Sequence, residues 1–286
     1  MNPYRGDREK IDFERHTVKW NAITHPGHSR ENNEDAFLAL TFNSKRFHYL
    51  GKYGQAPIGK DDLVFAVSDG MGGACAGEYA SKIAVEKISK LLPKGFRSRL
   101  LGMQTGFDDI FQELYGEIHK ALSYIGASYE ECAGMGSTLS MCWIVPEWMF
   151  FAHIGDTRIY YLPESAHNEI RQLSDDHTHV GWLFRNGKIS EREARSHPRK
   201  NALQKALGAG NQFVEPQIGA VEIVEGDKFV LCSDGVIDGL WNRQILQLIR
   251  SPTVAETTKS PAHRLVDAAL ERSGKDNLTA VVLEIS

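Results

Sequence analysis

Leu63-Val64-Phe65-Ala66-Val67-Ser68-Asp69-Gly70 is the stretch from which the rest of the chain can be ordered. A shorter echo of it recurs as Phe229-Val230-Leu231-Cys232-Ser233-Asp234-Gly235. Each is a brief, continuous apolar run rich in β-favouring residues, which predicts a buried strand. Each ends on one carboxylate followed by a glycine, which predicts a sharp turn. A third acid, Asp276 of Gly274-Lys275-Asp276-Asn277, directly precedes the last apolar run. Carboxylates at strand ends, with no His or Cys ligand pattern beside them, suit hard divalent cations such as Mg²⁺ or Mn²⁺.

Working outward, residues 1–16 read as a flexible, solvated arm. Alternating patterns predict strands at 17–24 and 35–42, separated by the turn-rich segment 26–34. Residues 43–60 carry Lys45, Arg46, His48, Lys52 and Lys60 and read as a solvated hairpin loop in preference to a docking surface. Helical periodicity follows over 74–92, stopped by Pro93 and Gly95, and over 107–125. Strand-like runs at 137–145, 148–154 and 158–162 have the spacing of an antiparallel sheet. Residues 175–210 are polar and helical only in pieces, which predicts a flap. Strands resume at 213–218, 220–224 and 228–232; helices follow at 241–249 and 261–272, and the last strand is 278–285. Strands in runs and helices in pairs imply an α+β fold of antiparallel sheets covered by helices. No Pro/Ser or Gly/Ser linker interrupts the chain, so 17–286 reads as one domain.

Composition narrows the function classes. A formal charge of −4 without a basic stripe gives no reason to expect nucleic-acid binding. The longest uncharged run, 132–146, is partly polar and too short to cross a bilayer, which needs about 18 apolar residues. The charged N-terminus has no signal-peptide pattern. Cys75, Cys132, Cys142 and Cys232 form no CxxC pair and read as reduced core thiols. A cytoplasmic location without membrane contact is the expectation.

Gly70-Met71-Gly72-Gly73-Ala74-Cys75-Ala76-Gly77 invites a dinucleotide-binding reading. However, Cys75 stands where that fingerprint wants Gly or Ala, and Asp69 would repel a pyrophosphate. A metal fits better, with Asp69 binding through its side chain and Gly70 through its carbonyl. Gly155-Asp156-Thr157-Arg158 joins two strand runs; Asp156 is either a turn residue or a further oxygen ligand. Arg30 is either a surface ion-pair residue or a phosphate ligand. Charge balance favours the latter, because Asp69, Asp156, Asp234 and Asp276 would be neutralised by two divalent cations and a phosphate dianion would need one more fixed positive group. His177-Thr178-His179 lacks a third ligand for zinc and reads as part of the flap. No P-loop and no Gly-x-Ser-x-Gly elbow is present.

Taken together, Arg30-Glu31-Asn32-Asn33-Glu34-Asp35, Asp69-Gly70-Met71-Gly72-Gly73, Gly136-Ser137-Thr138, Gly155-Asp156-Thr157-Arg158, Ser233-Asp234-Gly235 and Gly274-Lys275-Asp276-Asn277 occur in the order of the metal-dependent Ser/Thr phosphatases of type 2C. The chain resembles the bacterial branch, including a flap segment 197–208. The resemblance implies a β-sandwich flanked by helix pairs in α-β-β-α layers. It also implies two Mn²⁺ or Mg²⁺ ions, with Asp69 bridging, the Gly70 carbonyl on the first ion, and Asp234 and Asp276 on the second. Glu34 and Asp35 match acids that hold or orient metal-bound water, Arg30 matches the phosphate-binding arginine, and Asp156 with Asp234 matches the site of a looser third ion. Arg30, Asp69 and Asp234 would carry catalysis. The implied reaction is hydrolysis of phosphoserine and phosphothreonine in proteins by a metal-bridging water, opposite a cognate Ser/Thr kinase, by a monomer. Met71 departs from animal and plant members, which have a histidine there as the proposed general acid. Two alternatives accompany this reading: a phosphatase dedicated to one partner-switching regulator, and a non-catalytic phosphoprotein-binding module, for which a lost ligand acid would be the signature.

Overall fold

The computed structural model describes residues 16–43, 46–72, 76–100 and 106–286, with the side chains of 93–100 left out of the description. The expected arm (apart from His16), Cys75 and Gly73 lie outside the described residues.

In chain order, strands β1 (Thr17–His25), β2 (Asp35–Phe42), β3 (Phe47–Tyr49), β4 (Tyr53–Pro57) and β5 (Asp62–Met71) precede helices α1 (Ala76–Leu100) and α2 (Phe107–Ser128). Strands β6 (Gly136–Ser137), β7 (Leu139–Val145), β8 (Trp148–Ile154), β9 (Arg158–Leu162) and β10 (Arg171–Gln172) follow. The flap contains α3 (His179–Arg185) and α4 (Glu191–Ser196) and ends at β11 (Leu207–Gly208). Then come β12 (Gln217–Glu222), β13 (Lys228–Cys232), α5 (Asp234–Gly239), α6 (Asn242–Arg250), α7 (Pro261–Arg272) and β14 (Leu278–Ile285).

Every strand pairing is antiparallel. Among the described residues, one sheet has six strands in the order β10-β9-β13-β14-β1-β4. The other has eight among the described residues, running β11-β6-β5-β7-β8-β12, with β2 beside β5 and β3 beyond β2. Inward side chains of both sheets, among them Trp20, Phe65, Phe151, Phe229 and Leu283, form a dry core between them. A second core lies between the larger sheet and α1 and α2, around Phe42, Trp143, Tyr115 and Phe111. A third lies between the smaller sheet and α5–α7. The layers are α-β-β-α, as the resemblance implied, and removal of these faces from water supplies most of the driving force.

Several boundaries differ from the sequence reading. Helix α1 runs on through Pro93 to Leu100. A proline inside a helix loses one backbone bond and clashes with the preceding turn, but packing of Ala80, Ala84, Ile88 and Leu92 carries the helix up to it. The expected pair 213–218 and 220–224 is one strand, β12. Helix α5, opened by Asp234, was not expected. Of the segment 43–60, Lys45 lies outside the described residues, and the described part is divided between the sheets, β3 pairing with β2 and β4 with β1. Of the cysteines, Cys142 and Cys232 are buried free thiols, whereas Cys132 is only half-buried.

Candidate metal centre

The strand registers bring the predicted acids to one end of the sandwich. Asp35, first in β2, lies directly opposite Asp69 of β5. His25, last in β1, lies opposite Leu278, first in β14, so Asp276 and the loop after β1 adjoin. Cys232, last in β13, is opposite both Ala280 and Arg158, which brings Asp234 and Asp156 to the same rim.

Backbone contact at this end is unusually close. A methyl group on Gly70 would sit 1.9 Å from the Gly77 carbonyl oxygen, and one on Gly235 would sit 2.1 Å from that of Asn277. Neither glycine has a positive φ. The glycines of the Asp-Gly pairs therefore do not make turns; they let a second segment lie against the acid-bearing one. Gly77 has the same role: its bare Cα faces both the Glu34 carboxylate and the Gly70 carbonyl. Two oxygens named as candidate ligands thus converge over one glycine.

Asp69 is held by its main chain. Its N–H donates to Thr138 Oγ1 (2.9 Å), while its carbonyl accepts from Thr138 N–H (2.8 Å) and from Ser137 Oγ (2.9 Å). This leaves the carboxylate free to act. Asp35 is buried; its Oδ2 accepts from Ser233 Oγ (2.6 Å), and its Oδ1 has no partner. Asn277 staples the loop 26–34 to the site, accepting from Glu34 N–H (2.7 Å) and donating to the Pro26 and Asn32 carbonyls (2.8 and 2.9 Å). Ser137, Thr138, Ser233 and Asn277 belonged to motifs in the sequence, but their tasks were not legible there. All four are polar residues next to an acid or a strand end, which is the signal that was available.

Asp276 accepts from Arg30 Nη2 (2.9 Å) through Oδ2 and from Asn277 N–H (2.9 Å) through Oδ1. The two candidate residues with opposite expected roles are thus ion-paired with each other. Asp234 Oδ2 accepts from Asn201 Nδ2 of the flap (3.2 Å). Asp156 and Asp234 line a cleft of about 80 Å³ with Lys200, Asn201 and Arg195 of the flap. The flap root is fastened to the Asp156 loop: His177 N–H donates to the Gly155 carbonyl (2.7 Å), Gly155 N–H donates to His177 Nδ1 (3.1 Å), and Arg158 grips Asp176 through two bonds (2.8 and 2.6 Å).

Electrostatics follow from this crowding. Burial, then the charges of Asp35, Asp234, Asp156 and Asp276, hold the Asp69 carboxyl well above its usual range. Asp234 is raised in the same way by burial and by Asp156 and Asp276. Burial pushes Asp35 up to about 6 and, with Asp176 adding repulsion, Asp156 up to about 7. Glu34 is raised by burial despite Arg30. Among the described residues, no three His, Cys, Asp or Glu side chains are already spaced to grip one ion. The donor set nevertheless fits hard cations: it is all oxygen and mutually repelling, with a buried Asp35 oxygen still lacking a partner. No helix among the described residues is long and apolar enough to cross a membrane.

A family model described as Protein phosphatase 2C matches residues 55–273. The Ser/Thr protein phosphatase PstP of Mycobacterium tuberculosis is 34% identical over 228 residues, which cover 78% of this chain and 40% of that protein. This chain therefore spans well under half of that relative's length. The Ser/Thr phosphatase stp of Listeria monocytogenes is 31% identical over 77% of this chain and 84% of its own. Among solved structures, the catalytic domain of PstP in complex with two manganese ions superposes with a TM-score of 0.71 at 29% identity, covering 94% of this chain and 99% of that one. The Streptococcus agalactiae Ser/Thr phosphatase superposes with a TM-score of 0.75 at 27% identity, over 94% and 100%.

Proposed function

The chain belongs to the protein phosphatase 2C family, and from that premise we propose that it hydrolyses phosphoserine and phosphothreonine in phosphoproteins with the help of divalent cations. The observation that carries the proposal is the gathering of Glu34, Asp35, Asp69, Asp156, Asp234 and Asp276 from five separate segments within electrostatic range, with Arg30 beside them. In this reading Asp69, the Gly70 carbonyl, Asp234 and Asp276 would hold two Mn²⁺ or Mg²⁺ ions, Glu34 and Asp35 would orient water at the site, and Asp156 with Asp234 would take a looser third ion. When bound, the ions supply Lewis acidity, making a water nucleophilic near neutral pH and offsetting charge on phosphate.

The chain's own groups do the rest. Thr138 and Ser137 hold Asp69 in place through its main chain, so little reorganisation is needed as charge develops. Arg30 is about half exposed, and its guanidinium offers a second pair of N–H groups to a phosphate dianion while one edge faces Asp276. Asn201 and Lys200 put flap donors on the Asp234 side of the cleft, where the rest of a phosphoprotein would pass. The proposal extends to a bacterial, cytoplasmic monomer acting opposite a Ser/Thr kinase. The test is phosphate release from a phosphothreonine peptide with Mn²⁺. Release that EDTA stops, and that Arg30→Ala weakens mainly through KM, is expected. No release with Mn²⁺, or release indifferent to EDTA, would sink the reading.

A further inference from the structure

Met149, Phe151 and His153 alternate along β8 and so share one of its faces. The first two belong to the dry core between the sheets, and His153 ends the row two residues before Gly155. There the core turns polar. His153 is fully buried, as are Thr157 and Ser140, which lies opposite His153 on β7. None of the three has an orphaned polar atom, so the group is a completed network.

Its hydrogen bonds have one possible direction. His153 Nε2 lies 3.1 Å from the Gly155 carbonyl oxygen and 3.0 Å from that of Asp175. Carbonyls only accept, so Nε2 carries the proton. Burial pushes the ring's pKa down to about 4, so the ring is neutral and Nδ1 accepts. Ser140 Oγ therefore donates to Nδ1 (2.8 Å) and, its one proton spent, accepts from Thr157 Oγ1 (2.8 Å).

This network straddles Asp156. Gly155 precedes that acid and Thr157 follows it, while Asp175 begins the flap. His177 N–H donates to the same Gly155 carbonyl (2.7 Å), and the His177 ring, stacked on that of His153 at 4.9 Å, accepts from Gly155 N–H. Gly155 is also hemmed in from the far side. At φ +112° its missing Cβ would lie 2.5 Å from Thr138 Cβ, and Thr138 is the residue that holds Asp69.

The geometry points to His153 as a positioning residue that fixes the residues on either side of Asp156 and ties them to the flap root, so that the carboxylate is presented to the ion it would share with Asp234. It rests on Asp156 being an ion ligand in the phosphatase reading. Groups that orient a ligand from behind typically contribute about 10–100-fold to metal affinity, which sets the size of the expected effect.

The test compares His153→Leu, which keeps the bulk and removes both ring nitrogens, with His153→Gln, whose amide N–H can stand where Nε2 does. In metal-free protein, hydrogen exchange at the Gly155 and His177 amides should be at least about tenfold faster in His153→Leu and near wild type in His153→Gln, with α2 amides unchanged. Acceleration shared by α2 would mean general loss of stability and would overturn the proposal, as would unchanged exchange at the two amides. In calorimetric titration, the weakest-bound Mn²⁺ should bind His153→Leu at least about tenfold more weakly than wild type. Added to Asp156→Asn, His153→Leu should cause no further loss of Mn²⁺ affinity; additive losses would show that it does not act through Asp156. If His153→Leu does not fold, Ser140→Ala carries the same test, with a smaller acceleration of about threefold at the two amides. A wild-type protein that took up no Mn²⁺ would count against the phosphatase reading instead, and exchange at Gly155 and His177 would still decide whether His153 fixes the turn.

Discussion

Asp69-Gly70 and Asp234-Gly235 share a dipeptide but not a backbone. The first lies inside β5, which runs on to Met71; the second opens the short helix α5. Their supports differ as well. Asp69 is fixed by Ser137 and Thr138 of the neighbouring strand region, whereas Asp234 is met by Asn201 of the flap. What they have in common is the glycine's neighbour, a carbonyl from elsewhere in the chain where a side chain would stand. The recurrent dipeptide thus encodes close approach of a second segment to an acid, not a turn. An acid inside a sheet faces one at the start of a helix that is met by a side chain of the flap segment.

The largest effect should come from removing either acid. Asp69→Asn and Asp234→Asn should each lower Mn²⁺-dependent kcat/KM at least about 100-fold. If one variant stays within about threefold of wild type, the two halves are not equivalent and the comparison fails. Next come Gly70→Ala and Gly235→Ala, whose methyl groups meet backbone that cannot step aside. Each should cost about 3 kcal/mol, seen as a melting temperature lower by about 6–12 °C; wild-type melting would show that the close approach is dispensable.

A smaller effect separates Asp156, which shares the site without an Asp-Gly pair. Its carboxyl is raised to about 7, so the folded state keeps a proton that the unfolded chain releases near the usual carboxylate value. Stability is therefore lost as pH rises between those values. In EDTA at pH 8, Asp156→Asn should melt several degrees above wild type, and the gap should close as pH falls toward 4. A gap that persists at low pH would mean that burial and charge are not its cause. Smallest is the control Gly116→Ala on α2, where nothing lies within 4 Å and no positive φ is required. It should stabilise by about 0.5–1 kcal/mol, a rise of a few degrees that chemical denaturation would also resolve.

The strands and their terminal acids were legible because a buried strand is a compact apolar run and an acid at its end is conspicuous. Strands in runs and helices in pairs pointed to antiparallel sheets covered by helices, and the four-layer order came from the family resemblance. What could not be read depends on residues far apart in sequence. The Ser233 hydroxyl reaches an Asp35 oxygen 198 positions away, and Asn277 holds a loop 243 or more positions away. Local patterns also misled where packing prevailed: Pro93 did not end α1, and a loop-like segment with exposed aromatics became two edge strands. The pairing of Arg30 with Asp276 was invisible, because each residue carried a separate expectation.

The most direct measurement is calorimetric titration of Mn²⁺ into the wild-type protein and into Asp69→Asn. Uptake of at least two ions per chain by the wild type, reduced to one or none in the variant, is the expected result. Undiminished uptake by Asp69→Asn, or no uptake by either protein, would contradict the account.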